Sequence, residues 1–104
     1  MTQETQNNIQ QIAVSIQPFL KDAGISRCFV FGSYASGQET PESDIDLLVD
    51  FYAGKEPDLF AFIALKDKLE GKLGKKVDMT TSDALSPYIR TDILQTAQIL
   101  YEGK

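Results

Sequence analysis

The chain has 104 residues, of which 42% are hydrophobic and 24% are charged, and its formal net charge is −5. This length and composition predict a single globular domain over residues 1–104 and exclude a second sizeable core. The acidic balance also disfavours extended nucleic-acid binding, which requires clustered lysine and arginine.

The N-terminal segment predicts a cytoplasmic protein that begins with a helix. Met1–Gln11 is polar and lacks the basic and then apolar pattern of a secretory signal. No apolar run approaches the ~20 residues that cross a bilayer, so no membrane association is expected. Residues 5–23 predict a helix in which Pro18 introduces a kink or a break, and Gly24 ends it. One apolar stripe on this helix is expected to cover a face of a sheet: Ile9, Ile12, Ile16, Phe19, Leu20 and Ala23.

The apolar run at residues 27–31 predicts a short buried strand. Its Cys28 is the single cysteine of a chain without histidine, which excludes an internal disulfide, a zinc site and a Cys/His nucleophile pair. Cys28 is therefore expected to pack as a small hydrophobe. Gly32 and Ser33 follow, and a short helix that begins at Ser33 would offer free N–H groups and a hydroxyl to a phosphate oxygen. A Gly-Ser pair is also common in ordinary turns.

A polar loop at residues 38–43 leads to a second predicted strand at residues 44–52. Residues two apart share a strand face, so Asp44 and Asp46 are expected to project side by side. Adjacent carboxylates repel each other unless a cation neutralises them, and Mg²⁺ prefers such oxygen ligands together with substrate phosphates. The alternative is that these aspartates simply cap or end an element.

Residues 57–73 predict a broadly apolar helix whose first turn contains Pro57. Its wide apolar surface is expected to belong to the core, with any excess available to a partner. Residues 75–80 predict a third strand that carries Asp78. If this strand pairs beside the second, Asp78 can join the other two aspartates at one cation cluster. The alternative is a solvated aspartate on an edge strand.

Ser86 and Pro87 form a helix start, and apolar residues at core spacing predict that this helix continues to Leu100 or Tyr101. Tyr88 and Arg90 lie near its beginning. They either reach the active site or a partner, or they are ordinary surface residues.

The order of these features resembles a known family. Gly32-Ser33, ten residues, Asp44-x-Asp46 and then Leu47–Val49 resemble the signature of the DNA polymerase β-like nucleotidyltransferase superfamily. The short length of the chain and the residues around this motif are similar to those of the minimal nucleotidyltransferase (MNT) branch. The resemblance implies an α/β (α+β) fold, in which a small mixed β-sheet has helices packed on one face.

The same resemblance implies the chemistry of the site. Asp44, Asp46 and Asp78 are expected to be catalytic and to bind Mg²⁺, and Gly32 and Ser33 are expected to bind the nucleotide triphosphate.

The MNT branch is commonly encoded beside HEPN-domain proteins in toxin–antitoxin pairs. The resemblance therefore implies a Mg²⁺-dependent nucleotidyltransferase that moves AMP from ATP, or a nucleotide from another nucleoside triphosphate, to a hydroxyl of a HEPN partner. The alternative is a non-catalytic antitoxin or assembly subunit that binds and masks such a partner. Ser36 stands where the family often has Arg or Lys, and this favours the alternative. A homodimer and a hetero-oligomer both remain open.

Overall fold

The computed structural model describes residues 3–103, so the ends of the predicted domain, residues 1, 2 and 104, lie outside it. No helix in the described range combines the length and hydropathy that a bilayer-spanning segment needs. A 3₁₀ turn at Ser82–Ala84 follows the third strand. The helices and strands are, in chain order, α1 (Gln3–Asp22), β1 (Ile25–Phe31), α2 (Ser33–Ser36), β2 (Ile45–Phe51), α3 (Leu59–Leu73), β3 (Val77–Thr81), α4 (Pro87–Thr96) and β4 (Gln98–Glu102).

The strands of residues 3–103 form one mixed sheet in the order β3-β2-β1-β4. β1 is antiparallel to β2 and to β4, whereas β2 and β3 are parallel. Parallel strands need a crossover connection, and α3 supplies it. The third strand therefore lies beside the second, which is the condition under which Asp78 can join the other two aspartates.

The core lies between one face of the sheet and two long helices, and the predicted small mixed β-sheet is confirmed. α1 packs against α3, β1 and β4, and α3 packs against β3. Pro18 lies within α1 and does not break it, because α1 is one continuous helix. Cys28 is buried as predicted, and burial raises the pKa of its thiol to about 12. The core includes the predicted stripe residues Ile9, Ile12, Ile16 and Leu20, together with Ile25, Val30, Ile45, Leu47, Val49, Leu65, Leu69, Val77, Met79 and Leu100.

Helix α3 begins two residues later than predicted. Asp58 is its N-cap and accepts a hydrogen bond from the Ala61 amide at 2.7 Å, so Pro57 lies before the helix. An N-cap carboxylate satisfies one of the free amides of the first turn, which fixes the start. The apolar surface of α3 exceeds what the core accepts, because Leu59 and Phe60 are 68% and 82% exposed.

The prediction of one helix from Ser86 to Leu100 or Tyr101 is wrong. α4 ends at Thr96, Ala97 has extended dihedral angles, and β4 follows immediately. The segment carries Ile99 and Tyr101, residue types that suit a pleated strand, and it pairs with the free edge of β1. Leu100 is buried in the strand and also fits the core spacing of the predicted helix, so helical spacing alone could not separate the two possibilities.

The connection from β3 to β4 has to cross the sheet because these strands are its opposite edges. The 3₁₀ turn contacts β2 and α4 contacts β1. Leu48 alternates with two core residues of β2, so it points away from α1 and α3, yet it is fully buried. The segment 82–96 therefore covers part of this second face, which is also the face that carries Asp46.

Candidate functional site

The site begins at the turn between β1 and α2. Gly32 has φ 73° and ψ −145°, a conformation that is essentially restricted to glycine. Ser33 opens the one-turn helix α2, in which the Ser36 amide donates to the Gly32 carbonyl at 3.1 Å. Gly37 ends this helix in the left-handed region. The turn and short helix predicted around Gly32 and Ser33 are present.

The carboxylate of Asp46 lies against Gly32. Asp46 is the register partner of Phe31, the residue before Gly32. A Cβ built on Gly32 would overlap the Asp46 Oδ2 atom. The missing side chain therefore makes room for this carboxylate. The sequence indicated the unusual backbone path at Gly32, but not this contact, which depends on the register of two strands.

Asp46 also stands beside Asp78. The two residues are paired in the parallel register of β2 and β3, and neighbouring strands lie roughly 4.8 Å apart. Partial burial, followed by the charges of Asp78 and Asp44, raises the pKa of the Asp46 carboxyl above its ordinary value. Like charges this close disfavour joint ionisation, and a bound cation would relieve the repulsion.

Asp44 is positioned differently from the sequence expectation. β2 begins at Ile45, so Asp44 is an exposed residue immediately before the strand. Asp44 precedes the first paired residue of β2, and its charge contributes to the raised pKa of Asp46, so its projection beside Asp46 stays a prediction. The structure thus pairs Asp46 with Asp78 and leaves Asp44 nearby.

A hard divalent cation fits the chemistry of these side chains. Magnesium is usually held by one or two carboxylates together with substrate phosphates, and Asp46 and Asp78 supply such a pair on adjacent strands. Within residues 3–103, no three His, Cys, Asp or Glu side chains already have the geometry of a metal site. The three-aspartate ligand set remains a prediction.

Two polar contacts involve Ser36 and Lys75, which lie on either side of the loop before β2. The Ser36 hydroxyl donates to the Ser33 carbonyl at 3.2 Å. Lys75 donates through its Nζ atom to the Pro41 carbonyl at 2.9 Å, which ties the loop before β2 to the start of β3. A cavity of about 460 Å³ between α1 and this loop includes Lys75, but none of the three aspartates lines it.

Tyr88 and Arg90 lie in different environments. The Arg90 guanidinium donates to the Ser82 carbonyl at 2.9 and 3.1 Å and to the Leu85 carbonyl at 3.4 Å. Arg90 therefore ties the 3₁₀ turn to α4. Tyr88 is 85% exposed.

The family model described as "Polymerase beta, Nucleotidyltransferase" matches residues 14–104. The chain belongs to the polymerase β nucleotidyltransferase family. The predicted kinship and the predicted enzyme class are confirmed, since members of this family transfer nucleotides.

Two curated proteins that are similar along most of their length carry more specific names. A Methanocaldococcus jannaschii protein named "Putative protein adenylyltransferase" is 41% identical over 90 residues, which cover 86% of this chain and 95% of that protein. The protein adenylyltransferase MntA of Thermococcus cleftensis is 34% identical over 96 residues, which cover 91% and 95% of the respective chains.

Two solved structures share the fold of this nucleotidyltransferase. A toxin–antitoxin structure with AMP-PNP superposes with a TM-score of 0.75 at 24% identity, covering 88% of this chain and 74% of that one. A complex of a tri-AMPylated Shewanella oneidensis HEPN toxin with its MNT antitoxin gives a TM-score of 0.69 at 23% identity, covering 91% and 73%. Both contain the same fold as the present chain.

Proposed function

We propose that this nucleotidyltransferase is a protein adenylyltransferase that uses ATP and Mg²⁺ to attach AMP to a hydroxyl of a HEPN-domain partner, and so acts as an antitoxin. The names of its relatives support this, as do a toxin–antitoxin neighbour with AMP-PNP and another with an AMPylated toxin. The observation that carries the proposal is the position of Asp46, between the Gly32 turn and Asp78.

In this proposal Gly32 and Ser33 hold the triphosphate. The backbone at Gly32 is exposed and carries no side chain that would block a phosphate. The Ser33 hydroxyl can donate to a phosphate oxygen, and hydrogen bonds to anionic oxygens are shorter and stronger than neutral ones. These contacts would orient the α-phosphate toward the carboxylates of Asp46 and Asp78.

Asp44, Asp46 and Asp78 would hold the metal. Bound divalent ions stabilise the charge that develops on the attacking and departing oxygens of a phosphoryl-group displacement. Asp46 is half-buried and interacts electrostatically with both other carboxylates, so it would hold the metal together with them. Asp78 is exposed, so an acceptor can approach it from solvent.

The reaction replaces one phosphorus–oxygen bond with another and releases one proton. The acceptor oxygen bonds to the α-phosphorus of ATP, the bond between that phosphorus and the bridging oxygen breaks, and pyrophosphate leaves. The acceptor hydroxyl releases its proton to solvent, and the Asp78 carboxylate is the group that would favour this loss. Positioning and electrostatics, rather than a covalent enzyme intermediate, carry such a transfer. ATP and Mg²⁺ are both abundant in the cytoplasm, where we place the protein.

Transfer of labelled AMP tests the proposal. The chain is incubated with [α-³²P]ATP, Mg²⁺ and a HEPN-domain protein from the same organism, the proposed acceptor. We expect the partner to acquire label and Asp46→Asn to reduce the rate by about 10²–10³-fold or more, because a preorganised charge is lost. Asp67→Asn, which removes an exposed carboxylate of α3, is the matched control and should retain wild-type transfer.

The same experiment distinguishes masking from catalysis. A tight complex that never acquires label would favour the non-catalytic antitoxin. Label that transfers equally well with Asp46→Asn would reject the assignment of Asp46.

A further inference from the structure

The pairing of β2 with β3 does not include Asp44. The parallel ladder begins with Ile45 opposite Val77, so Asp44 lies one residue outside it. On its C-terminal side, the Ile45 amide donates a hydrogen bond to the Lys76 carbonyl at 2.9 Å. The sheet therefore fixes only one side of Asp44, and the position of its carboxylate also depends on the loop that comes before it.

That loop contains a closed turn at residues 40–43. The Ser43 amide donates to the Thr40 carbonyl at 3.0 Å, and the Thr40 amide donates to the Ser43 hydroxyl at 2.8 Å. Pro41 is the second residue of the turn, a position that favours proline because its φ is already fixed near the required value. Ser43 directly precedes Asp44, so the placement of this turn sets where the backbone of Asp44 starts.

Lys75 holds the turn against the start of β3. Its Nζ atom donates to the Pro41 carbonyl at 2.9 Å, across 34 positions of the sequence. Hydrogen bonds from an ionised donor are stronger than neutral ones. Lys75 is followed by Lys76, whose carbonyl accepts the hydrogen bond from Ile45. Two consecutive residues before β3 therefore bind the chain on both sides of Asp44.

We propose that Lys75 is a positioning residue for the metal ligand Asp44. The inference rests on the proposed function, which assigns Asp44 to the metal. Lys75 holds the turn, and the turn places the Asp44 carboxylate beside those of Asp46 and Asp78. Outer contacts that orient a metal ligand typically change metal affinity or activity by about 10–100-fold when they are removed.

The charge of Lys75 alone would have the opposite effect on metal binding. An ammonium group near the three carboxylates repels a divalent cation, so its removal would strengthen binding of the metal. Loss of a positioning contact would weaken that binding, because the ligands would no longer be held together. The direction of the change in metal affinity therefore distinguishes positioning from a simple charge effect.

Binding of Mn²⁺ alone, measured by electron paramagnetic resonance, tests the inference without depending on AMP transfer. Mn²⁺ accepts carboxylate ligands as Mg²⁺ does. We expect Lys75→Met to raise the Kd for Mn²⁺ by about tenfold and Lys75→Arg, which keeps a cationic donor, to stay within about twofold. Lys72→Met removes an exposed lysine from the last turn of α3 and is the matched control, with an unchanged Kd. Thermal melting verifies that each variant folds.

A second substitution shows whether Lys75 acts through Asp44. In an Asp44→Asn background, Lys75→Met should cause no further loss of Mn²⁺ affinity, because the ligand that it positions is already absent. An equal loss in both backgrounds would overturn the inference, and so would a Kd for Lys75→Met that is unchanged or lower than that of the wild type. A wild type that binds no Mn²⁺ would overturn it too.

These outcomes can be told apart from failure of the proposed function. If Mn²⁺ affinity depends on Lys75 through Asp44 while the wild type transfers no AMP, the positioning role stands and the adenylyltransferase proposal fails. If AMP is transferred but Mn²⁺ affinity does not depend on Lys75, the proposed function stands and the positioning role fails.

Discussion

At the scale of single residues, Gly32 is the position where backbone conformation and site geometry meet. Its φ of 73° strains any other residue, and a Cβ there would overlap the Asp46 Oδ2 atom. We expect Gly32→Ala to displace the Asp46 carboxylate and to abolish most AMP transfer. The strain at positive φ should also cost about 1–2 kcal/mol of unfolding free energy. Transfer assays and urea unfolding measure the two effects separately.

Gly54 offers the matched control for that substitution. It has a similar φ of 80°, but a Cβ added to it would meet nothing within 4 Å. Gly54→Ala should therefore lose stability to a comparable extent and keep its transfer rate. An equal loss of transfer in both variants would mean that strain, and not the contact with Asp46, explains the effect.

The ionisation of Asp46 has a predictable effect on stability. Burial and then the charges of Asp78 and Asp44 raise its pKa above the ordinary value of 3.8. The folded state therefore binds this proton more tightly than the unfolded state, and stability falls as the pH rises through the window above 3.8. Without metal, Asp46→Asn should therefore be more stable than the wild type at pH 7.

Urea unfolding in EDTA as a function of pH measures this difference. The advantage of Asp46→Asn should shrink as the pH falls through the carboxyl range, where the wild-type side chain becomes neutral. A destabilised variant at pH 7 would instead indicate that the ionised carboxylate makes a favourable contact in the folded state.

Residue types and spacing were enough to nominate the site, since Gly32, Ser33, Asp44, Asp46 and Asp78 all follow from the sequence pattern and the resemblance. Their arrangement in space was harder to predict from the sequence. The contact of Gly32 with Asp46 depends on which residues of β1 and β2 are opposite each other, and a one-residue slip would turn Asp46 to the other face. Nothing in a single sequence fixes that register.

At the scale of elements, the start of β3 depends on a side chain from α3. The Glu70 carboxylate accepts a hydrogen bond from the Val77 amide at 2.9 Å and lies 3.3 Å from the Lys66 ammonium. The bond from Val77, ahead of the interaction with Lys66, lowers the pKa of Glu70. Because Val77 directly precedes Asp78, this contact holds the first residue of the strand that carries a proposed metal ligand.

We expect Glu70→Ala to speed hydrogen exchange of the Val77 amide, while Glu70→Gln keeps an oxygen acceptor and shows an intermediate rate. A lowered folded-state pKa contributes stability above the ordinary value of 4.5 that is lost as the pH falls through the folded-state value. The wild type should therefore approach Glu70→Gln in acid. Identical exchange in all three proteins at neutral pH would show that this contact does not hold the start of β3.

The elements were predicted well wherever one periodicity was unambiguous. α1, β1, the turn and β2 match the sequence pattern to within a few residues, because strong apolar stripes or runs mark them. β4 was missed because Leu100 and Tyr101 also fit the helical spacing that begins at Ile89. A strand forms there because the segment pairs with the free edge of β1, and this edge exists only in the assembled sheet.

At the scale of the whole molecule, the missed strand determines the layout of the site. β4 adds a new edge beside β1, so the chain must travel from one edge of the sheet to the other between Thr81 and Gln98. A helix that continued to Tyr101 would not have fixed that path. The crossing of α4 therefore follows from the fold and not from local sequence.

Binding of ATP and magnesium should stabilise the whole domain through the same carboxylates. A ligand that binds only the folded state adds about 2.7 kcal/mol at a concentration 100 times its Kd. We expect Mg²⁺ with AMP-PNP to raise the melting temperature of the wild type and of Asp67→Asn, and to leave Asp46→Asn nearly unchanged. Mg²⁺ alone should give a smaller rise, because without the nucleotide no phosphate oxygens complete its coordination. Equal stabilisation of Asp46→Asn would place the nucleotide and its metal away from the end of the sheet where β2 and β3 begin.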